Sequence, residues 1–365
     1  MPTGLKYLTT GSLKTTDQLN IHLDSQLRIK MTTDKEYKLL GNLNFADETG
    51  AFKKKASTFR NFISSAESAM FRPELNRYHL YVSMACPWAH RTLATRVLKG
   101  LTQIISVSVV HWHMDNNGWR FINKEEASKR TSNSDILNGT EDHLYGFDRI
   151  KQLYFKADPE YSGRFTVPVL WDKKLETIVN NESSEILRML NSEFNSLLSS
   201  EYAELDLYPK DMREAIDEIN SWIYDNINNG VYKTGFSTKQ EVYDKEVVNV
   251  FKHLDKVEQI LAKNQESLNS FLLGNKLTEA DIRLFTTIVR FDAVYAQHFK
   301  CNLKMIRHDY PNLHEWLRFL YWKIPGFKET TDFDHIKYHY TKSHPGINPN
   351  GITPLGPVPN ILNYS

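Results

Sequence analysis

One cysteine stands where it could do chemistry. Cys86 follows a strand-like run, Arg77-Tyr78-His79-Leu80-Tyr81-Val82, and directly precedes Pro87, a residue suited to the first turn of a helix. That order puts the sulfur at a helix N-terminus, where unpaired N–H groups and the helix dipole favour the thiolate, the nucleophilic form. Alone, a cysteine reads as a small buried hydrophobe; strand, Cys-Pro and helix together favour a reactive thiol. Position 89 is Ala89 rather than a second cysteine, so Cys86 cannot close a local disulfide and an oxidised intermediate needs a thiol from outside. Cys301, in the helical half, reads as a packing residue.

Two further pairs could hold a peptide. Val167-Pro168 begins a strand-like run, and a cis proline there would leave the preceding backbone N–H and C=O to pair with an extended ligand; the plain alternative is an edge-strand proline. Glu182-Ser183 opens a short helix, offering a carboxylate to an ammonium, and a hydroxyl with N–H groups to a carboxylate; the plain alternative is a helix cap. An ammonium and a carboxylate are the two groups at the γ-glutamyl end of glutathione, which is also the obvious external thiol. His111-Trp112-His113 has no cysteine or carboxylate at ligand spacing, so no metal site is expected.

The elements that must position these residues follow from periodicity. The helix after Cys86 runs through Ala89, Leu93, Val97 and Leu98, and Ile104 to Trp112 is a β-branched strand, giving a βαβ unit. A polar stretch from about 115 to 158 reads as an insertion with little structure of its own. Arg164 to Asp172 and Glu176 to Val179 form a hairpin, followed by a helix through Glu185 to Leu190. Beyond about residue 195 the periods are helical: Asp211 to Asn226, Val242 to Leu261, a helix opened by the capping box Thr278-Glu279-Ala280-Asp281, and Leu313 to Leu320. With 41% hydrophobic and 24% charged residues over 365 positions, the chain can bury two cores. A net charge of +1 and the absence of a long apolar run argue against nucleic-acid and membrane partners.

Strand, Cys-Pro-Trp-Ala, βαβ, Val-Pro, Glu-Ser and an all-helical second half resemble the omega-like glutathione transferases. Longer blocks resemble the glutathionyl-hydroquinone reductases, or xi-class transferases, and their fungal omega-like relatives: Ala85 to Arg91, Gly118-Trp119-Arg120-Phe121, Arg164 to Asp172, Ile178 to Glu185, Gly230 to Phe236, Leu277 to Arg283, His298 to Asn302 and Asp334 to Lys337. The resemblance implies that Cys86 attacks the sulfur of a glutathionyl-hydroquinone, leaving a Cys86–glutathione mixed disulfide that a second glutathione resolves. It implies glutathione-binding roles for Trp119, Arg164, Phe165, Thr166, Val167, Glu182 and Ser183. It also assigns Tyr232 as proton donor to the leaving carbon, and Tyr295 and Tyr340 as hydroxyls near the thiol.

The expected architecture is therefore an α/β thioredoxin-like domain followed by an all-α domain, the glutathione transferase fold. A poorly structured extension covers 1–70, the glutathione-binding domain 71–195, the helical substrate domain 196–335 and a proline-rich tail 336–365. Glutathione is expected as co-substrate, glutathionylated aromatics as substrates and a second copy of the chain as partner. The expected location is cytoplasmic, or mitochondrial if the N-terminal extension acts as a targeting segment. Two alternatives remain: an omega-like thioltransferase or dehydroascorbate reductase, and a non-catalytic binding protein on the same fold.

Overall fold

The computed structural model describes residues 46–52, 56–129, 138–266 and 270–364; the expected targeting segment lies outside them. Strand β1 (Tyr78–Val82) leads through a short turn into helix α1 (Pro87–Leu98) and then β2 (Ser106–Val109), which pairs parallel to β1 with Leu80 opposite Val107. The crossover helix makes the parallel pairing feasible, because two adjacent parallel strands need a connection long enough to cross back over the sheet. After the insertion, β5 (Val169–Asp172) and β6 (Thr177–Asn180) form a hairpin and β5 joins β1 antiparallel, giving the sheet order β2-β1-β5-β6. Every residue of β1 and β5 is buried, as expected of central strands covered on both faces.

The insertion has more structure than its composition suggested. It contains a two-stranded ribbon, β3 (Met114–Asp115) with β4 (Gly118–Trp119), a helical turn at Lys124–Ser128 and helix α2 (Ile150–Ala157). Specific polar contacts, which leave no periodic trace, hold it together. Arg149 forks onto both oxygens of Asp115 at 2.8 and 2.9 Å, and the Asp142 carboxylate accepts the N–H groups of Leu144, Tyr145 and Phe147 and the hydroxyl of Tyr81.

The strand expected from Arg164 pairs only from Val169 onward. Pro168 has no N–H for the ladder, and the Tyr154 hydroxyl engages the Thr166 backbone instead, donating to its carbonyl at 2.9 Å and accepting its N–H at 3.2 Å. The peptide before Pro168 is cis. Helix α3 (Ser183–Ser192) follows the hairpin and packs on α1.

The second half is helical: α4 (Arg213–Ile223), a wide turn at Tyr224–Asn228, α5 (Gly230–Gly235), α6 (Gln240–Glu266), α7 (Glu279–Arg290), a second wide turn at Phe291–Tyr295, α8 (Pro311–Lys323) and α9 (Phe333–Ser343). The capping box at Thr278 is present, and the buried Asp281 carboxylate also accepts the Leu272 N–H and the Trp316 indole N–H. Burial raises the Asp281 carboxyl to about 6. The two cores are distinct, one under the sheet around Leu80, Leu170 and Ile186, the other around Leu254, Phe285 and Phe299.

Both ends differ from the sequence reading. From Ala56 to Met70 the extension is not loose: Asn61 N–H donates to Val179 O at 3.0 Å, Asn181 N–H donates to Phe59 O at 3.1 Å, and Ile63 is buried. It satisfies backbone groups along the open edge of β6, work done by main-chain atoms that composition does not reveal. The tail read as wholly extended from 336 is helical as far as Ser343, capped by Asp332, whose carboxylate accepts the His335 N–H. Beyond it the chain folds back, with Arg307 donating to the carbonyls of Pro359 and Asn360.

Candidate active site

Cys86 is the N-cap of α1, with extended backbone (φ −75°, ψ 117°) and Pro87 as the first helical residue. The carbonyl of Cys86 already accepts the His90 N–H at 2.9 Å, so the residue belongs to the helix while its side chain lies beyond the helix end. Sγ lies 3.5 Å from the Val167 carbonyl oxygen, bringing the Cys-Pro and Val-Pro turns face to face. Among the described residues the Val167 N–H has no hydrogen-bond partner, although Val167 is buried. That combination suits an extended peptide ligand pairing beside the sulfur.

Arg290, the last residue of α7, fixes the turn that presents Cys86. Its guanidinium, fully buried, donates to Ala85 O at 2.9 Å, Met84 O at 2.8 Å and Thr286 O at 2.7 Å, and meets His90 Nδ1 at 2.9 Å. Arginine has only donors, so Nδ1 must accept, and His90 carries its proton on Nε2, which faces the Thr330 hydroxyl at 2.8 Å. Burial, with Arg290 second, holds the His90 imidazole well below its ordinary range and therefore neutral. Sequence reading missed Arg290; its signal was an arginine closing an otherwise apolar helical stretch.

Glu182 caps α3, where one oxygen accepts the Ser184 N–H at 3.3 Å and the Ser184 hydroxyl at 3.1 Å. The other oxygen faces the Ser57 hydroxyl at 3.2 Å, a contact from the N-terminal extension that the sequence did not point to. Ser183 is buried, its hydroxyl 3.5 Å from Glu182. Thr166 and Phe165 sit beside Tyr154 and Tyr161, Phe165 in ring contact with both. Arg164 is half-buried, and burial lowers its guanidinium.

Three tyrosines assigned from distant parts of the chain meet. The Tyr340 hydroxyl lies 2.5 Å from that of Tyr232 and 3.1 Å from that of Tyr295. Burial pushes Tyr232 and Tyr340 well above the ordinary phenol range and raises Tyr295, so all three keep their protons at neutral pH. A negative charge on Cys86 adds a small upward push on both Tyr232 and Tyr295. Trp88 adds an indole 6.4 Å from the Tyr232 ring and 5.7 Å from Tyr224.

Helix α9 connects this cluster to the sheet domain. His339, next to Tyr340, stacks on Trp119 at 4.8 Å and 27°, and its Nδ1 lies 2.8 Å from the Trp112 carbonyl; Ser343 accepts the Met114 N–H. Trp119 is thus buried against α9. Cys301 is buried in the helical core, where burial pushes its thiol up to about 12, out of the range of a nucleophile at neutral pH. No three His, Cys, Asp or Glu side chains among the described residues converge as metal ligands.

The chain also matches known proteins. Residues 85–193 match the N-terminal domain model of glutathione S-transferase and residues 240–319 its C-terminal domain model. A glutathione S-transferase omega-like 2 from Schizosaccharomyces pombe is 56% identical over 319 residues, covering 87% of this chain and 97% of that protein. The glutathionyl-hydroquinone reductase YqjG of Escherichia coli is 51% identical, covering 84% of this chain and 89% of the relative. The crystal structure of the xi glutathione transferase ECM4 from Saccharomyces cerevisiae in complex with glutathione superposes with a TM-score of 0.81 at 51% identity, covering 86% of this chain and 99% of that one.

Proposed function

We propose that this chain, which belongs to the glutathione S-transferase family and is an enzyme of its xi-class and fungal omega-like branch, removes glutathione from glutathionyl-hydroquinones through Cys86. The observation that carries the proposal is a cluster of three protonated phenols beside the Trp88 indole, two residues past the Cys86 thiol at the start of α1.

The residues suit the co-substrate. Glutathione's cysteinyl backbone would pair with Val167, whose N–H lacks a described partner and whose carbonyl faces Sγ. Its γ-glutamyl ammonium would meet the Glu182 carboxylate, and its α-carboxylate the Ser183 hydroxyl and N–H at the start of α3. Arg164 would offset a carboxylate and Trp119 would pack against the peptide.

In the first step the Cys86 thiolate attacks the glutathione sulfur of the conjugate. An S–S bond forms, the bond from sulfur to the ring carbon breaks, and the ring carbon takes a proton from the Tyr232 hydroxyl, releasing the hydroquinone. Tyr340, 2.5 Å away, passes a proton back to Tyr232, and Tyr295 supports Tyr340. In the second step another glutathione gives up its thiol proton, which replaces the one spent by the Tyr232–Tyr340 pair, and its thiolate attacks the glutathione sulfur of the mixed disulfide, so that oxidised glutathione leaves and the Cys86 thiolate returns. One carbon–sulfur bond is reduced to carbon–hydrogen, and the two electrons come from joining two glutathiones.

A thioltransferase acting on aliphatic disulfides would use the same Cys86 but needs no proton donor at carbon and no aromatic wall. The buried phenols therefore favour the hydroquinone substrate. Steady-state turnover of glutathionyl-menadione with glutathione, followed as menadiol and oxidised glutathione, tests this. Turnover by the wild type and none by Cys86→Ser is expected; equal turnover by both would overturn it.

A further inference from the structure

A short N-terminal segment touches the aromatic pocket from outside both domains. Residues 46–52 form a tight turn: Ala46 bridges to Phe52, the Asp47 carbonyl accepts the Gly50 N–H, the Asp47 N–H donates to Ala51 O, and Gly50 takes a left-handed φ of 83°. The turn is seated on the chain just past α5, where the Thr238 N–H donates to Gly50 O at 3.2 Å, and a Cβ at position 50 would meet the Lys239 side chain at 2.9 Å. Helix α5 carries Tyr232. The Phe52 ring lies 5.9 Å from Tyr232 at 32°, and 5.9 Å from Phe236 at 22°, so it presents an aromatic face beside the phenol that borders Trp88, two residues past Cys86.

We propose that Phe52 is a specificity-determining wall of the pocket that receives the aromatic ring of the conjugate, an inference that rests on the reductase reading of Cys86 and Tyr232. Its ring is half-buried, and the phenol it flanks also borders Trp88, two residues past the thiol, so a planar ring leaving Cys86 would pass between aromatic surfaces supplied by three separate parts of the chain: Phe52, Trp88 and Tyr232. Offset and tilted ring contacts of this kind favour aromatic over aliphatic ligands. An aliphatic mixed disulfide offers no ring to such a wall and depends on the glutathione grip alone.

The test compares kcat/KM for glutathionyl-menadione with that for the mixed disulfide of glutathione and 2-mercaptoethanol, in the wild type, Phe52→Ala and Phe52→Tyr, on the full chain. Phe52→Ala is expected to lower the aromatic-to-aliphatic ratio about tenfold, mainly through KM for the conjugate, and Phe52→Tyr to restore it to within about twofold. An unchanged ratio in Phe52→Ala, or an equal fall for both substrates, overturns the role of Phe52 while leaving the reductase reading intact. No wild-type turnover of glutathionyl-menadione overturns the reductase reading, and this inference with it.

Discussion

Arg290 offers the sharpest test of how the helical domain holds the nucleophile in place. Replacing it by methionine keeps much of the side chain's length and removes every donor. Met84 O, Ala85 O and His90 Nδ1 then lose their partners inside a region from which water is excluded. Each orphaned buried acceptor costs about 1 to 3 kcal/mol, so three cost about 3 to 9 kcal/mol. Removing a buried cation returns several kcal/mol of desolvation, and the net expectation is a loss of about 4 kcal/mol, in line with other broken buried charged networks. Two of the three acceptors belong to the residues immediately before Cys86, so the native fraction of the variant should also turn over more slowly. A displacement of about 1 Å at a reacting atom can cost about a hundredfold, and kcat/KM is expected to fall by at least about tenfold. Urea unfolding and steady-state kinetics of Arg290→Met, with Arg290→Lys restoring part of the stability, measure both effects. A variant within about 1 kcal/mol and twofold of the wild type would refute the brace.

Stability should depend on pH through the buried histidines around α9. Burial first, then neighbouring charge, lowers His298 and His339 to about 4 from 6.5, and burial also holds His344, stacked on His298, well below the ordinary imidazole range. The unfolded chain takes up protons below 6.5 that the native state refuses, so stability is full above about pH 7 and falls between 6.5 and 4. At pH 5 each of His298 and His339 should cost about 2 kcal/mol, and the double variant His298→Gln/His339→Gln should show a smaller drop in urea midpoint from pH 7.5 to 5. The same drop in both proteins would contradict the assignment. Ser57→Ala removes one hydroxyl from the Glu182 carboxylate and should raise KM for glutathione about threefold with kcat little changed, measured at saturating conjugate; an unaltered KM would show that Ser57 contributes nothing to the grip.

Much of the site was legible in the sequence because its chemistry is local. Cys86 before Pro87 and Glu182 before Ser183 each announce a helix start, and the structure puts a helix N-cap at both. The order of β-branched runs and helical periods gave a βαβ unit, a hairpin and then helices, while the thioredoxin-like fold class came with the family resemblance. What stayed hidden depends on long-range contacts. The meeting of Tyr232, Tyr295 and Tyr340 was suggested by resemblance alone, since nothing in the spacing of the chain's tyrosines brings helices α5 and α9 and the turn at Phe291–Tyr295 together. Arg290, Ser57 and Phe52 act through a carbonyl, a carboxylate and a ring far away in sequence. A polar, aperiodic stretch such as 56–70 gives no sign that its main chain completes a sheet edge.

The most direct measurement of the central claim is a single turnover without free glutathione. The protein is mixed with one equivalent of glutathionyl-menadione, menadiol is quantified, and the intact protein and its Cys86 peptide are weighed by mass spectrometry. One menadiol released per chain, with one glutathione attached to Cys86 and removed by added glutathione, is the predicted result. Menadiol released with Cys86 unmodified, or glutathione found on Cys301, would contradict it.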